Sequence, residues 1–189
     1  MRIISGTAKG TKLYTLDGLN TRPTLDRVKE SIFNIIQNDI NDSKVLDLFS
    51  GSGAIGLEFA SRGASNVYLC DNSKDACDII NKNILKTHLT EKVKVFNLDF
   101  LSLIKKIENE KFDIIYLDPP YKTDFIEKAI KELIKYKNLG NKTLIIAETD
   151  EEKIIKKIRE IKEIEIMDKR KYGRAFVLLL KKVNRKEEN

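Results

Sequence analysis

The chain has 189 residues, of which 41% are hydrophobic and 34% charged, with 35 Lys and Arg against 29 Asp and Glu and a net charge of +6. That length supports one domain with a substantial core, and the composition excludes a chain that is disordered throughout. No apolar run approaches the roughly 18 residues of a membrane-spanning helix, and the start Met1 to Gly6 lacks a signal peptide's apolar region. A cytoplasmic location without membrane contact is expected, and the basic surplus favours a polyanionic partner.

Residues 1–43 read as a unit of their own. Arg2 to Ser5 and Thr11 to Thr15 flank a glycine-containing turn and suggest a small hairpin, and Leu25 to Ile40 suggest a helix burying Val28, Ile32, Ile35 and Ile36. From Lys44 onward short β-rich runs alternate with helical ones. Val45 to Phe49 reads as a strand running into Ser50-Gly51-Ser52-Gly53, with a helix to about Arg62 stopped by Gly63. Val67 to Cys70, Val93 to Phe96, Phe112 to Leu117 and Thr143 to Ala147 read as further strands. Between and after them lie helices over Asp75 to Lys86, Phe100 to Ile107, Phe125 to Ile134, and a stretch with Ile154, Ile155, Ile158 and Ile161. This alternation implies an α/β fold with a parallel sheet covered on both faces. Glu163 to Asp168 and Ala175 to Lys181 are close enough to form a hairpin, so the last strand should run antiparallel. The tail 184–189 is charged.

Gly51-Ser52-Gly53-Ala54-Ile55-Gly56 fits G-x-G-x-x-G between a strand and a helix, with Asp71 twenty positions past Gly51 at the next strand's end. Glycines there allow close backbone approach to a ligand, and the acid can accept both hydroxyls of a ribose, which admits either NAD or S-adenosylmethionine. Asp47 separates the two. It aims a carboxylate into the turn, where it would repel a pyrophosphate and attract an ammonium or sulfonium. Phe49, Ser50, Gly51, Gly53 and Asn72 join Asp47 and Asp71 in the expected donor site. Asp99 has two roles open to it, accepting from an adenine amine with Phe100 against the ring, or capping the helix that follows; one residue can do both.

Asp118-Pro119-Pro120-Tyr121 directly follows a buried strand. Exocyclic amines of nucleobases are poor nucleophiles because the lone pair is conjugated into the ring. The Asp118 carboxylate and the Pro119 carbonyl can accept that amine's hydrogens and turn its electron density toward a methyl donor, while the prolines fix the backbone course. Tyr121 can stack on the base. The two cysteines, Cys70 and Cys77, and the single histidine, His88, have no metal-ligand spacing. No metal site is expected.

Asp47-x-Phe49-x-Gly51-Ser52-Gly53 together with Asp118-Pro119-Pro120-Tyr121 resembles the amino-methyltransferases. The flanks Arg2-Ile3-Ile4-Ser5-Gly6, Lys9-Gly10, Arg22-Pro23-Thr24-x-Asp26-Arg27-Val28-Lys29-Glu30 and Tyr172-Gly173 narrow the resemblance to the bacterial 16S ribosomal RNA guanine-N2 methyltransferases of the RsmD type, over essentially the whole chain. This implies a Rossmann-like class I fold with a seven-stranded, mostly parallel sheet and a reversed last strand. It also implies S-adenosylmethionine as donor and one guanine of 16S rRNA, in a small-subunit particle, as target. On that reading residues 1–43 are an RNA-contacting extension, 44–183 the methyltransferase domain, and Arg2, Lys9, Lys12, Arg22, Thr24, Arg27 and Tyr172 are candidates for gripping RNA around an extruded base. Lys29 adds to the basic bias of the front unit, and Lys169, Arg170, Lys171 and Arg174 surround Tyr172. A monomer is expected. The competing classes are a DNA adenine-N6 or cytosine-N4 methyltransferase and a non-catalytic ribosome-assembly factor on the same fold.

Overall fold

A computed structural model describes the backbone of residues 1–15, 23–120 and 122–183, and the side chains of these apart from 23–26. Arg22, Tyr121 and the tail 184–189 lie outside the described residues, as does the side chain of Thr24. The elements are α1 (Pro23–Ile35), β1 (Lys44–Asp47), α2 (Ala54–Ser61), β2 (Asn66–Asp71), α3 (Lys74–Thr87), β3 (Val93–Asn97), α4 (Phe100–Lys106), β4 (Phe112–Leu117), α5 (Phe125–Lys135), β5 (Leu139–Thr149), α6 (Glu152–Arg159), β6 (Ile164–Tyr172) and β7 (Ala175–Lys182).

The seven strands lie in the order β3-β2-β1-β4-β5-β7-β6. Neighbours from β3 through β5 pair in parallel, and β7 is antiparallel to both β5 and β6, so the sheet is the mostly parallel one expected, with the last strand reversed. The chain steps outward from β1 to β3 and then returns to place β4 on the other side of β1. That reversal leaves a crevice at the C-terminal ends of β1 and β4.

Strand alternation divides the core. Leu46, Ile115, Leu117, Ile145 and Ala147 face α4, α5 and α6, whereas Val45, Ile114, Tyr116 and Ile146 face α1, α2 and α3. No described helix is long and apolar enough to cross a membrane. Both cysteines are free and buried, and burial pushes the Cys70 thiol up to about 12, which makes it a packing group.

Several boundaries differ from the sequence reading. The helix expected over Leu25 to Ile40 ends at Ile35 and continues only as a 3-10 turn, Gln37–Asp39. Its buried face is Lys29, Ile32, Phe33 and Ile36, with Val28 and Ile35 at the margins. β1 stops at Asp47, where the Ser50 hydroxyl donates to the Asp47 carbonyl and turns the chain. β5 begins at Leu139 because Thr143 Oγ1 donates to the Phe112 carbonyl and accepts from Gly140 N–H, stitching an irregular start onto β4.

The expected N-terminal hairpin is short, an antiparallel bridge of Arg2 with Lys12 flanked by hydrogen bonds from Ile3 N–H to the Thr11 carbonyl, Gly10 N–H to the Ile3 carbonyl and Leu13 N–H to the Met1 carbonyl, and it is also held by the rest of the molecule. Ile3 and Leu13 enter the same core face as Ile32, Phe33 and Leu57. Ile4 N–H and Ser5 N–H donate to Glu58 of α2, Thr7 N–H donates to the Ser61 carbonyl, and Ala8 N–H donates to Ser61 Oγ. Gly6 makes this close approach possible. At φ +82° it lies where a Cβ would stand 1.8 Å from the Ser61 carbonyl oxygen.

Candidate active site

The crevice at the strand ends is a cleft of about 560 Å3. β1 ends in Asp47, β2 in Asp71, and Asp118 follows β4 by one residue. All three line the cleft, as do Phe49, Ser50, Gly51, Asn72, Asp99, Phe100, Pro119 and Pro120. Gly53 does not. It sits behind the loop at φ +77°, at the N-terminus of α2, where a Cβ would press on Ile80 at 3.2 Å.

The loop is braced from several directions. Asp71 accepts from Gly51 N–H and Ser73 N–H, both at 2.9 Å. Ser50 Oγ accepts from Cys70 N–H. The buried Asn83 donates to the Ser52 carbonyl while exchanging two hydrogen bonds with the Tyr14 backbone, which ties the N-terminal segment to the glycine turn.

Electrostatics mark the same place. Asp47 lines the cleft while only 1% exposed, and its carboxyl is pushed up to about 7 by burial, with the charges of Asp118 and Asp71 adding to the effect and the Phe49 N–H and Ser50 opposing it. Asp118 is exposed to the cleft yet crowded by protein elsewhere, and that desolvation raises its carboxyl to about 6. Asp99 caps α4 by accepting from Ser102 N–H, and these hydrogen bonds hold its carboxyl below the usual range. It lines the cleft as well, so the capping role and a ligand-facing position coexist.

Other residues of the cleft escaped the sequence reading. Phe125, expected only as part of a helical stripe, heads α5 and packs with Phe49 (6.2 Å between ring centroids, nearly parallel) and Phe100 (5.2 Å) into an aromatic wall. On the opposite side Met1, Val28 and Lys29 contribute from the N-terminal segment, and Tyr116 and Glu148 from β4 and β5. The Tyr116 hydroxyl donates to Glu148 Oε1, and burial pushes the Glu148 carboxyl up to about 7. The signal available for Glu148 was its position at a strand's end, the same that marks Asp47.

The basic candidates separate. Arg2, Lys9, Lys12 and Arg27 are exposed. Lys29 is not part of a basic surface: it is 4% exposed and ion-paired with Glu58 at 2.9 Å, and it also donates to the Arg2 carbonyl. Tyr172 is not a free aromatic at a hairpin tip. It pairs with Ala175 beside the turn, and its hydroxyl lies 2.6 Å from Ser31 Oγ, fastening the β6-β7 hairpin to α1. Among the described residues no group of His, Cys, Asp and Glu could hold a metal ion.

A family model described as Conserved hypothetical protein 95 matches residues 1–181. Ribosomal RNA small subunit methyltransferase D of Haemophilus influenzae is 37% identical over 155 residues, covering 81% of this chain and 80% of that one. Its Escherichia coli namesake is 34% identical over 152 residues, covering 80% and 76%. Among solved structures the Escherichia coli protein yhhF superposes with a TM-score of 0.83 at 29% identity, covering 96% of this chain and 97% of that one. With the fold matched end to end and the strand-tip acids gathered in one cleft, the chain belongs to the Conserved hypothetical protein 95 family of RsmD-type rRNA methyltransferases.

Proposed function

We propose that the protein transfers a methyl group from S-adenosylmethionine to the exocyclic N2 amine of a guanine in small-subunit ribosomal RNA. The observation that carries this reading is the convergence of Asp47, Asp71 and Asp118 on one cleft, close enough that the charges of the other two raise the Asp47 carboxyl. Three acids gathered in a partly dry site are unfavourable by themselves and fit a ligand that brings positive charge. A Cβ on Gly51 would meet nothing within 4 Å, so the loop leaves room for close approach.

When bound, the donor supplies a methyl group on a positively charged sulfur. Asp47 would neutralise its ammonium, the open valences of Asp71 would accept from its ribose, and Asp99 with Phe100 would hold its adenine. Asp118 and the Pro119 carbonyl accept the amine's two hydrogens, rehybridise the nitrogen and fix it in line for attack. After transfer the nitrogen is cationic, and Asp118, with a carboxyl near 6, takes the released proton directly or through water. The Asp118-Pro119-Pro120-Tyr121 run is assigned this amine-holding role, with Tyr121 stacking on the base.

Residues 1–43 would form the RNA-contacting extension of a methyltransferase domain spanning 44–183, with Arg2, Lys9, Lys12, Arg22, Thr24 and Arg27 as its contacts and Tyr172 contributing from the β6-β7 hairpin. Support comes from the exposed Arg27, which shares a groove with Arg170 between α1 and β6. The test is to incubate the purified chain with labelled S-adenosylmethionine and small-subunit particles from a strain lacking it, and to map the modified nucleoside by mass spectrometry. Label in N2-methylguanosine of the 16S RNA is expected. Label only in DNA, or none, would overturn the proposal.

A further inference from the structure

The aromatic wall and the acids of β1 and β2 account for a donor, but they leave the other half of the cleft unexplained. That half is walled by Val28 and Met1 and floored by Tyr116 and Glu148. Glu148 stands one residue past the last β4-β5 pair, Leu117 with Ala147, and so does Asp118 on the neighbouring strand. Alternation puts Glu148 on the face that carries Tyr116 and Ile146, and Asp118, just past the end of β4, lines the same cleft. The Tyr116 hydroxyl pins Oε1, and among the described residues no hydrogen bond is made to Oε2.

Two acceptors lining one cleft can select among the amine-bearing bases. Guanine presents N1–H next to its N2 amine, so its edge there is donor beside donor. Adenine and cytosine each present a bare ring nitrogen, an acceptor, next to the amine. A second carboxylate that meets the ring position next to the amine attracts the first edge and repels the other two. We infer that Glu148 is a specificity-determining residue that accepts the N1–H of the target guanine while Asp118 and the Pro119 carbonyl hold its amine. The inference rests on the activity proposed above and deepens it. Burial has already pushed the Glu148 carboxyl up to about 7, and a donor N–H from the base would offset that desolvation.

The test uses small-subunit particles reconstituted with RNA that carries either guanine or 2-aminopurine at the mapped target. 2-Aminopurine keeps the exocyclic amine but offers N1 as an acceptor. Wild type should prefer guanine by on the order of 10²-fold or more, because a site built to accept an N–H rejects an analogue lacking it. Glu148→Gln keeps the bond from Tyr116 and places an amide donor at the other position, so the preference should shrink by about tenfold or more, with S-adenosylhomocysteine affinity unchanged. Tyr116→Phe, which frees the carboxylate without removing it, should shrink the preference by less.

If Glu148→Gln slows both substrates equally, or leaves the ratio untouched, Glu148 does not read the base and the inference falls alone. Should Glu148→Gln lose donor affinity through misfolding, Tyr116→Phe decides by the same ratio. A wild-type chain that methylates no guanine at all overturns the proposed activity and this inference with it.

Discussion

Lys29 Nζ and Glu58 Oε2 stand 2.9 Å apart with side chains 4% and 0% exposed, and this buried pair joins α1 to α2. Glu58 also accepts from Arg62 Nε at 2.7 Å and from the Ile4 and Ser5 N–H groups, so one carboxylate organises two cations and the N-terminal strand. Burial alone would raise its carboxyl, but the Lys29 charge and these hydrogen bonds outweigh it and hold it below the ordinary value. Glu58→Gln should lower stability by about 3 kcal/mol, read from urea unfolding, because it removes the charge of a fully buried carboxylate that faces both Lys29 and Arg62. An unchanged urea midpoint would show that the network carries no stability.

Gly6 and Gly10 provide a paired test of how the N-terminal segment is attached. Both have positive φ, +82° and +86°, but only Gly6 meets another backbone, while a Cβ on Gly10 meets nothing within 4 Å. Gly10→Ala should cost about 1 kcal/mol for the left-handed backbone alone. Gly6→Ala should cost roughly 2 kcal/mol more, since the Ser61 carbonyl must be pushed away. Equal unfolding midpoints for the two variants would contradict the close docking.

Asp118→Ala should reduce methyl transfer by on the order of 10²-fold or more while leaving S-adenosylmethionine affinity largely intact, because the direct contact assigned to the side chain is with the acceptor amine. Single-turnover rates and calorimetry read the two quantities separately. Near-normal turnover would remove Asp118 from the chemistry.

The raised carboxyls give the free protein a pH signature. In the folded chain burial holds the proton on Asp47 up to about 7, whereas an ordinary aspartate carboxyl loses it near 3.8. Between those values the folded state therefore binds more protons than the unfolded one, and the contribution of this group to stability falls as pH rises across that window. Asp118, raised to about 6, and Glu148, raised to about 7, act in the same sense. Glu58 acts oppositely, its contribution being present above about 4.5 and lost in acid. The unliganded chain should thus lose thermal stability from pH 5 to pH 8, and Asp47→Asn should flatten much of that decline. A melting temperature that climbs steadily over this range would contradict the assignment.

The same proton is linked to the donor. A cation seated on Asp47 favours its ionised form, so binding S-adenosylmethionine below about pH 7 should release a proton, and affinity should rise with pH until it levels off. Calorimetry in buffers of different ionisation enthalpy reads the proton directly. Asp47→Asn should bind more weakly and without that pH dependence; a wild-type affinity independent of pH would place the ammonium elsewhere.

What the sequence alone determined is local in the chain. Asp47 and Asp71 end their strands and Asp118 follows its own by one residue, and a short apolar run with an acid after it announces both the strand and the position of its tip. The turn Gly51 to Gly56 and the cap at Asp99 are likewise set within a few residues; the alternation of strands and helices announced the parallel sheet, and the short connection before Ala175 its reversed last strand. The tertiary structure decided whatever depends on partners far apart in the chain. Lys29 has the composition of a surface lysine and finds Glu58 only when α1 packs on α2; Tyr172 meets Ser31, 141 residues away, only when the hairpin folds against α1. Tyr116 and Glu148 become a pair only through the register of β4 on β5, which brings 32 residues of separation down to one hydrogen bond. A side chain's partner across the fold is set by strand order and packing, and no local pattern encodes it.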